Sequence, residues 1–114
     1  MYRIEHYLEP VIQRDVYTCW LGNLRDWQAK VAIVRRVARL ANGHFGDHKF
    51  CRDGVWALRI DSGPGYRVYY AMCNDRLILL LCAGTKRTQQ ADIAIAVQRW
   101  RRYRTRGNDE KQTT

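Results

Sequence analysis

At 114 residues, 46% of them hydrophobic, the chain has room for one core rather than two, and its composition excludes a disordered polypeptide. Twenty Lys and Arg against eleven Asp and Glu leave a net charge of +9, which usually goes with a polyanionic partner (nucleic acid, an acidic membrane surface or an acidic protein), the plainer reading being a solvated basic surface. The opening MYRIEHYLEP has no apolar signal core, and the longest apolar run, Leu77 to Ala83, is too short for a bilayer, so a soluble, cytoplasmic protein with no membrane partner is expected.

In chain order, residues 2–8 alternate loosely and predict a short strand ended by Pro10. Apolar residues from Val11 to Leu21 recur at three- and four-residue steps and predict a first helix. Gly22-Asn23 breaks it, with Asn23 as N-cap of a second helix. On that second helix Trp27, Val31, Val34, Ala38 and Ala41 form the expected core stripe, flanked by Ile33, Val37 and Leu40. Arg35, Arg36 and Arg39 take the remaining face, and Asn42-Gly43 supplies the stop. The two helices predict an antiparallel αα-hairpin.

Gly43 to Gly54 reads as an irregular loop, after which the hydrophobic period falls to two. Strands are predicted over Val55–Ile60, Tyr66–Cys73 and Arg76–Cys82, joined by Asp61–Gly65 and by Asn74-Asp75. The LILLL run of the last strand predicts burial on both of its faces at the sheet centre. Thr85 or Thr88 caps a final helix to about Tyr103, with Ile93, Val97 and Trp100 facing the core. A single α+β domain over 1–104 is therefore expected, in the order β-α-α-β-β-β-α, followed by a disordered polar tail over 105–114. Its twisted, mostly antiparallel sheet carries the helical hairpin and the C-terminal helix on one face. The cysteines at 19, 51, 73 and 82 form no C-x-x-C pair and no histidine stands at zinc spacing, so reduced thiols, no metal site and no cofactor are expected.

Alternation along two of these strands gathers the chemistry. Trp56, Leu58 and Ile60 share one face with Tyr66, Val68 and Tyr70, while Arg59, Arg67 and Tyr69 share the other. Lys86 and Arg87 follow the last strand and can reach that region, and Lys49 lies in the loop leading into the sheet. Arginine forks pair with phosphates and aromatic faces stack on unpaired bases, so the surface suits RNA. Attack of a ribose 2′-OH on its own phosphate builds negative charge that fixed cations stabilise without a metal, and it needs a base and an acid. Each residue also has a plainer role: Arg59 and Arg67 as solvent-facing strand residues, Tyr66 and Tyr69 as packing, Lys86 and Arg87 as first-turn residues that oppose the helix dipole. His44 and His48 flank the loop as surface imidazoles, and the second helix's arginines could simply be a wet face or touch ribosomal RNA.

The stretches LANGHFGDHK, LRIDSGPGYRVYY and LILLLCAGTKRTQQADI resemble the RelE/ParE superfamily, most closely its HigB-like, phage-related "addiction module killer protein" branch, over about residues 4–103. The resemblance implies the toxin of a type II toxin–antitoxin system, a ribosome-dependent endoribonuclease (mRNA interferase) that inhibits translation. It implies mRNA and the ribosome as targets and a cognate antitoxin, helix-turn-helix and DNA-binding, as partner. Arg67 matches a catalytic arginine of RelE-type enzymes and Lys86-Arg87 a post-strand basic pair. Lys49 and Arg59 match basic positions of the killer-protein branch. Candidate catalytic residues are thus Arg67, Lys86, Arg87, Lys49 and Tyr69. Candidate RNA-binding residues are Arg59, Arg35, Arg36, Arg39 and His48. Where RelE has a catalytic tyrosine, this chain has Ile93, so acid and base stay unassigned. The same fold also hosts ParE-like toxins that inhibit DNA gyrase without cutting RNA.

Overall fold

The computed structural model describes residues 1–74 and 76–112, with side chains to Arg106. Its elements are β1 (Arg3–His6), α1 (Val16–Asn23), α2 (Trp27–Ala41), β2 (His48–Arg52), β3 (Val55–Ile60), β4 (Tyr66–Met72), β5 (Leu77–Thr85), a 3₁₀ turn (Lys86–Thr88) and α3 (Gln89–Gln112). Among the described residues no helix is long and apolar enough to cross a membrane. The α+β class stands, but the order contains one strand more than expected. Residues 48–52 pair with β3 because Asp53 (φ 52°) and Gly54 (φ 84°) form a two-residue turn with both central residues left-handed. Gly54 is doubly required there, since a Cβ would lie 2.9 Å from Nε1 of Trp100.

The five strands lie in the order β1-β5-β4-β3-β2, with β1 parallel to β5 and the other pairs antiparallel. The predicted alternation holds. Leu58, Ile60, Tyr66, Val68 and Tyr70 pack with residues of α1 and α2, while Val55, Ala57, Tyr69 and Ala71 turn to the other side. That other side is not open, as the one-face arrangement required. Ala96, Val97 and Trp100 of α3 cover it, so helices lie on both faces. The reason is β5, whose Leu77 to Leu81 are all buried; a strand apolar on both faces needs an apolar cover on each. A bulge opposite Tyr69 and Tyr70 lets Leu79, Leu81 and Cys82 face α3 while Ile78 and Leu80 face α1 and α2.

The helix starts differ from expectation for a local reason. Asp15 caps α1, its Oδ1 accepting from the Thr18 amide at 3.0 Å, and Asp26 rather than Asn23 caps α2, accepting from the Ala29 amide at 3.1 Å. The buried line of α2 is Ala29, Ile33, Val37 and Leu40, whereas Trp27 and Val34 of the expected stripe are 73% and 49% exposed. α3 continues to Gln112, past its expected end near Tyr103 and through most of the stretch read as a disordered tail; Thr113 and Thr114, and Asp75 of the predicted Asn74-Asp75 turn, lie outside the described residues.

Asp15 also pairs with His6, Nδ1 to Oδ2 at 2.8 Å. Burial works to raise its carboxyl, but the hydrogen bonds from the Thr18 amide and His6 outweigh it and hold the pKa below the usual 3.8. A group depressed in the folded state stabilises it above its ordinary pKa and loses that contribution as pH falls through the folded value. Asp15→Asn should therefore be less stable than wild type at neutral pH, and the gap should close below pH 3.8 in urea titrations.

Candidate phosphate-binding cleft

Two cross-strand rows build the cleft on the α3 face. Lys49, Ala57, Tyr69 and Cys82 are successive partners across β2, β3, β4 and β5, and Arg59, Arg67 and Gly84 form the neighbouring row. Gln89 and Ile93 of α3 close one wall, and Phe50 and Cys51 of β2 complete a cavity of about 190 Å³. Gly84 lets the first turn of α3 settle this low, because a Cβ there would collide with the Asp92 carboxylate and the Thr88 hydroxyl.

Arg59 and Arg67 stand directly opposite each other, a like-charge pair that disfavours the ladder unless an anion intervenes. Arg59 has one: its Nε and Nη2 donate to Oδ1 of Asp47 at 2.9 and 2.6 Å. Arg67 has no ion-pair partner among the described residues. The Cys51 thiol registers this field; burial pushes its pKa up while Lys49 and Arg67 pull the other way. The cleft is thus half-neutralised, with one guanidinium left for a ligand.

Tyr69 does not suit the role of base. It is fully buried, its hydroxyl has no hydrogen-bond partner among the described residues, and burial drives its pKa far above the usual phenol value. A neutral hydroxyl at the cleft floor can still donate. Lys86 and Arg87 do not line the cavity either; they are exposed in the 3₁₀ turn, which is tied to the β3–β4 loop by the Lys86 amide donating to the Gly65 carbonyl at 3.0 Å.

Three further expectations are redirected. Alternation in β2 turns His48 away from Lys49 to the α1/α2 side, where Nδ1 lies 3.1 Å from the Tyr70 hydroxyl and the ring stacks between Phe45 and Trp56. Arg35 and Arg39 are exposed on α2, across the sheet from the cleft. Arg36 is a strut: it donates to the carbonyls of Phe45, Asp47 and Arg59 at 3.1, 3.0 and 3.2 Å. It thereby holds the segment whose Asp47 pairs with Arg59. Arg36→Ala should cost about 2–3 kcal/mol in urea denaturation, and Arg36→Lys should not restore it because one ammonium cannot span three carbonyls.

Cys51, Phe50 and Gln89 were not expected in the site, and Ile93 was named only as a core residue and as the one standing where RelE has its tyrosine. The Asp53-Gly54 pair was the available signal for the first two, since it marks a hairpin and hence a strand over 48–52. Gln89 and Ile93 both stand in the LILLLCAGTKRTQQADI stretch that carries the resemblance, but only the docking of α3 brings them to the cleft.

Fold and cleft together define a small α+β protein whose mixed sheet, covered on both faces, presents a cationic pocket beside its C-terminal helix. The chain belongs to the phage-derived Gp49-like protein family (DUF891), whose model matches residues 20–101, and that family is part of the RelE/ParE-like toxin superfamily. An uncharacterized protein of Haemophilus influenzae is 48% identical over 77 residues, which is 68% of this chain and 78% of that protein. No solved structure matches the chain.

Proposed function

We propose that the chain is the toxin of a type II toxin–antitoxin pair, a HigB-like, ribosome-dependent endoribonuclease that stops translation by cutting mRNA. The observation that carries this reading is Arg67, a guanidinium without an ion-pair partner among the described residues, facing Arg59 in a pocket large enough for one phosphate group. In the reaction the ribose 2′-oxygen forms a bond to the adjacent phosphorus and the bond to the 5′-oxygen breaks. The products are a 2′,3′-cyclic phosphate and a 5′-hydroxyl. Arg67 stabilises the charge that builds on the phosphorane oxygens, while Arg59, held by Asp47, fixes the opposite side of the pocket. Lys49, exposed at the rim, carries an ammonium proton that can go to the leaving 5′-oxygen. Among the described residues no carboxylate or imidazole lines the pocket, so a group of the ribosome–mRNA complex takes the 2′-OH proton, a reason to expect cutting on the ribosome and little cutting of free RNA.

A cognate, helix-turn-helix antitoxin would hold this activity in check, and a basic surface of +9 suits an acidic partner segment. One observation favours a second reading. Trp27 and Val34 leave an exposed apolar strip on α2, as a ParE-like toxin acting on DNA gyrase through protein contacts would need. The test adds the purified protein to a translation extract and maps mRNA ends by primer extension. In-frame cuts support the nuclease; intact mRNA with trapped gyrase–DNA complexes replaces it with the gyrase poison.

A further inference from the structure

We infer that the groove between β2 and α3 extends the cleft into a track for a single RNA strand, with Arg101 and Arg104 as phosphate contacts outside the reacting position. The inference rests on the nuclease reading of the cleft and adds to it two contacts, Arg101 and Arg104, that are not among the expected site residues. β2 is the outer strand of the sheet, and α3 packs chiefly on β5, β4 and β3, so the side of the helix toward β2 is the less covered one. The groove begins at the cleft, between Lys49 and Cys51 of β2 and Gln89 and Ile93 of α3. It ends where Trp100 lies over Gly54 and Arg101 Nη2 approaches Asp53 Oδ2 at 3.6 Å.

From Ile93 to Arg101 is eight residues, about 12 Å along a helix axis, too far to serve the phosphate held at Arg67 and suited to its neighbours on the strand. Arg101 is 64% exposed, and the Arg104 guanidinium sits on the same flank, 5.1 Å from the centre of the Trp100 ring. An exposed ion pair such as Arg101–Asp53 contributes little and yields readily to a phosphate. Arg102 and Arg106 point elsewhere, toward Glu9, Pro10, Val11 and Ile12. Arg99 is committed to the fold, donating to the Leu81 carbonyl at 2.8 Å and lying over the Tyr7 ring. Several guanidinium groups with one half-exposed aromatic ring, Phe50, at the cleft end suit a nucleic-acid strand, phosphates on the cations and a base on the ring, better than a protein interface or a lipid surface, both of which need broader apolar contact.

The test is fluorescence anisotropy with a fluorescein-labelled 12-nucleotide 2′-O-methyl RNA, which cannot react through its 2′-oxygen, titrated with the full chain across a salt series. The variants are R101A/R104A on the cleft flank and R102A/R106A on the opposite flank, with R101K/R104K as the check on folding. R101A/R104A should weaken binding about 10-fold at low salt and flatten the log–log salt slope by about 1.4, two single-strand phosphate contacts' worth. R101K/R104K should keep the wild-type slope, and R102A/R106A should change it by less than half as much. Equal losses in both alanine pairs, no loss in either, or no binding by wild type would overturn the track. Absence of mRNA cuts by wild type in the translation extract would instead remove the nuclease reading, while the anisotropy slopes still decide whether the strand is held along α3.

Discussion

Arg67→Ala should lower the rate of mRNA cutting in a translation extract by about 10²- to 10³-fold, the usual loss when one fixed donor to a developing oxyanion is removed. The folded state should barely notice. Arg67 makes no ion pair among the described residues and faces Arg59 across the ladder, so its removal relieves a like-charge contact, and stability should stay within about 0.5 kcal/mol of wild type. Arg67→Lys should recover only part of the rate, because a single ammonium cannot present a planar fork to two phosphorane oxygens. Tyr69→Phe is the informative contrast. It deletes a buried hydroxyl that has no partner among the described residues, so stability should hold or rise by about 1 kcal/mol, and the rate should stay within a few-fold of wild type. A loss with Tyr69→Phe as large as with Arg67→Ala would make that hydroxyl a donor to the substrate. Wild-type cutting by Arg67→Ala would remove Arg67 from the catalytic role.

Leu80→Ala should cost about 2–5 kcal/mol in urea denaturation, the range for truncating a fully enclosed leucine. Leu80 is 0% exposed in β5, the strand between β1 and β4, and its side chain enters the cluster shared with α1 and α2. Neither neighbouring strand can collapse into the void without breaking its own ladder, which argues for the upper part of that range. Since a small domain is stable by only about 5–15 kcal/mol, the variant should be marginally folded at 37 °C. Met72→Ala, at the half-exposed end of β4, should cost less than about 1 kcal/mol. A cost below that figure for Leu80→Ala would contradict the packing of helices on both faces of β5.

What the sequence determined by itself was whatever depends on neighbours along the chain. A period of two in β3 and β4 placed Arg59 and Arg67 on one side and the Tyr66, Val68 and Tyr70 set on the other, because successive side chains of a strand must alternate. The LILLL run announced an interior strand buried on both faces, though the strand at the sheet centre is β4, and Asn42-Gly43 announced a helix end, for reasons equally local. The strand over 48–52 was also written locally, in Asp53-Gly54, although the glycine-marked segment reads first as a loop. The tertiary structure decided the rest. The line of α2 that is buried, the face on which α3 lies, the binding of Arg36 to three carbonyls and the seating of His48 between two rings all depend on which distant surfaces meet. Burial is a property of the assembled solid, and two apolar lines on one helix are equivalent until a sheet is laid against one of them. The cleft itself belongs to this second kind, since its cations come from alternation but its far wall is a helix whose first cleft residue, Gln89, stands 22 residues beyond Arg67 and 40 beyond Lys49.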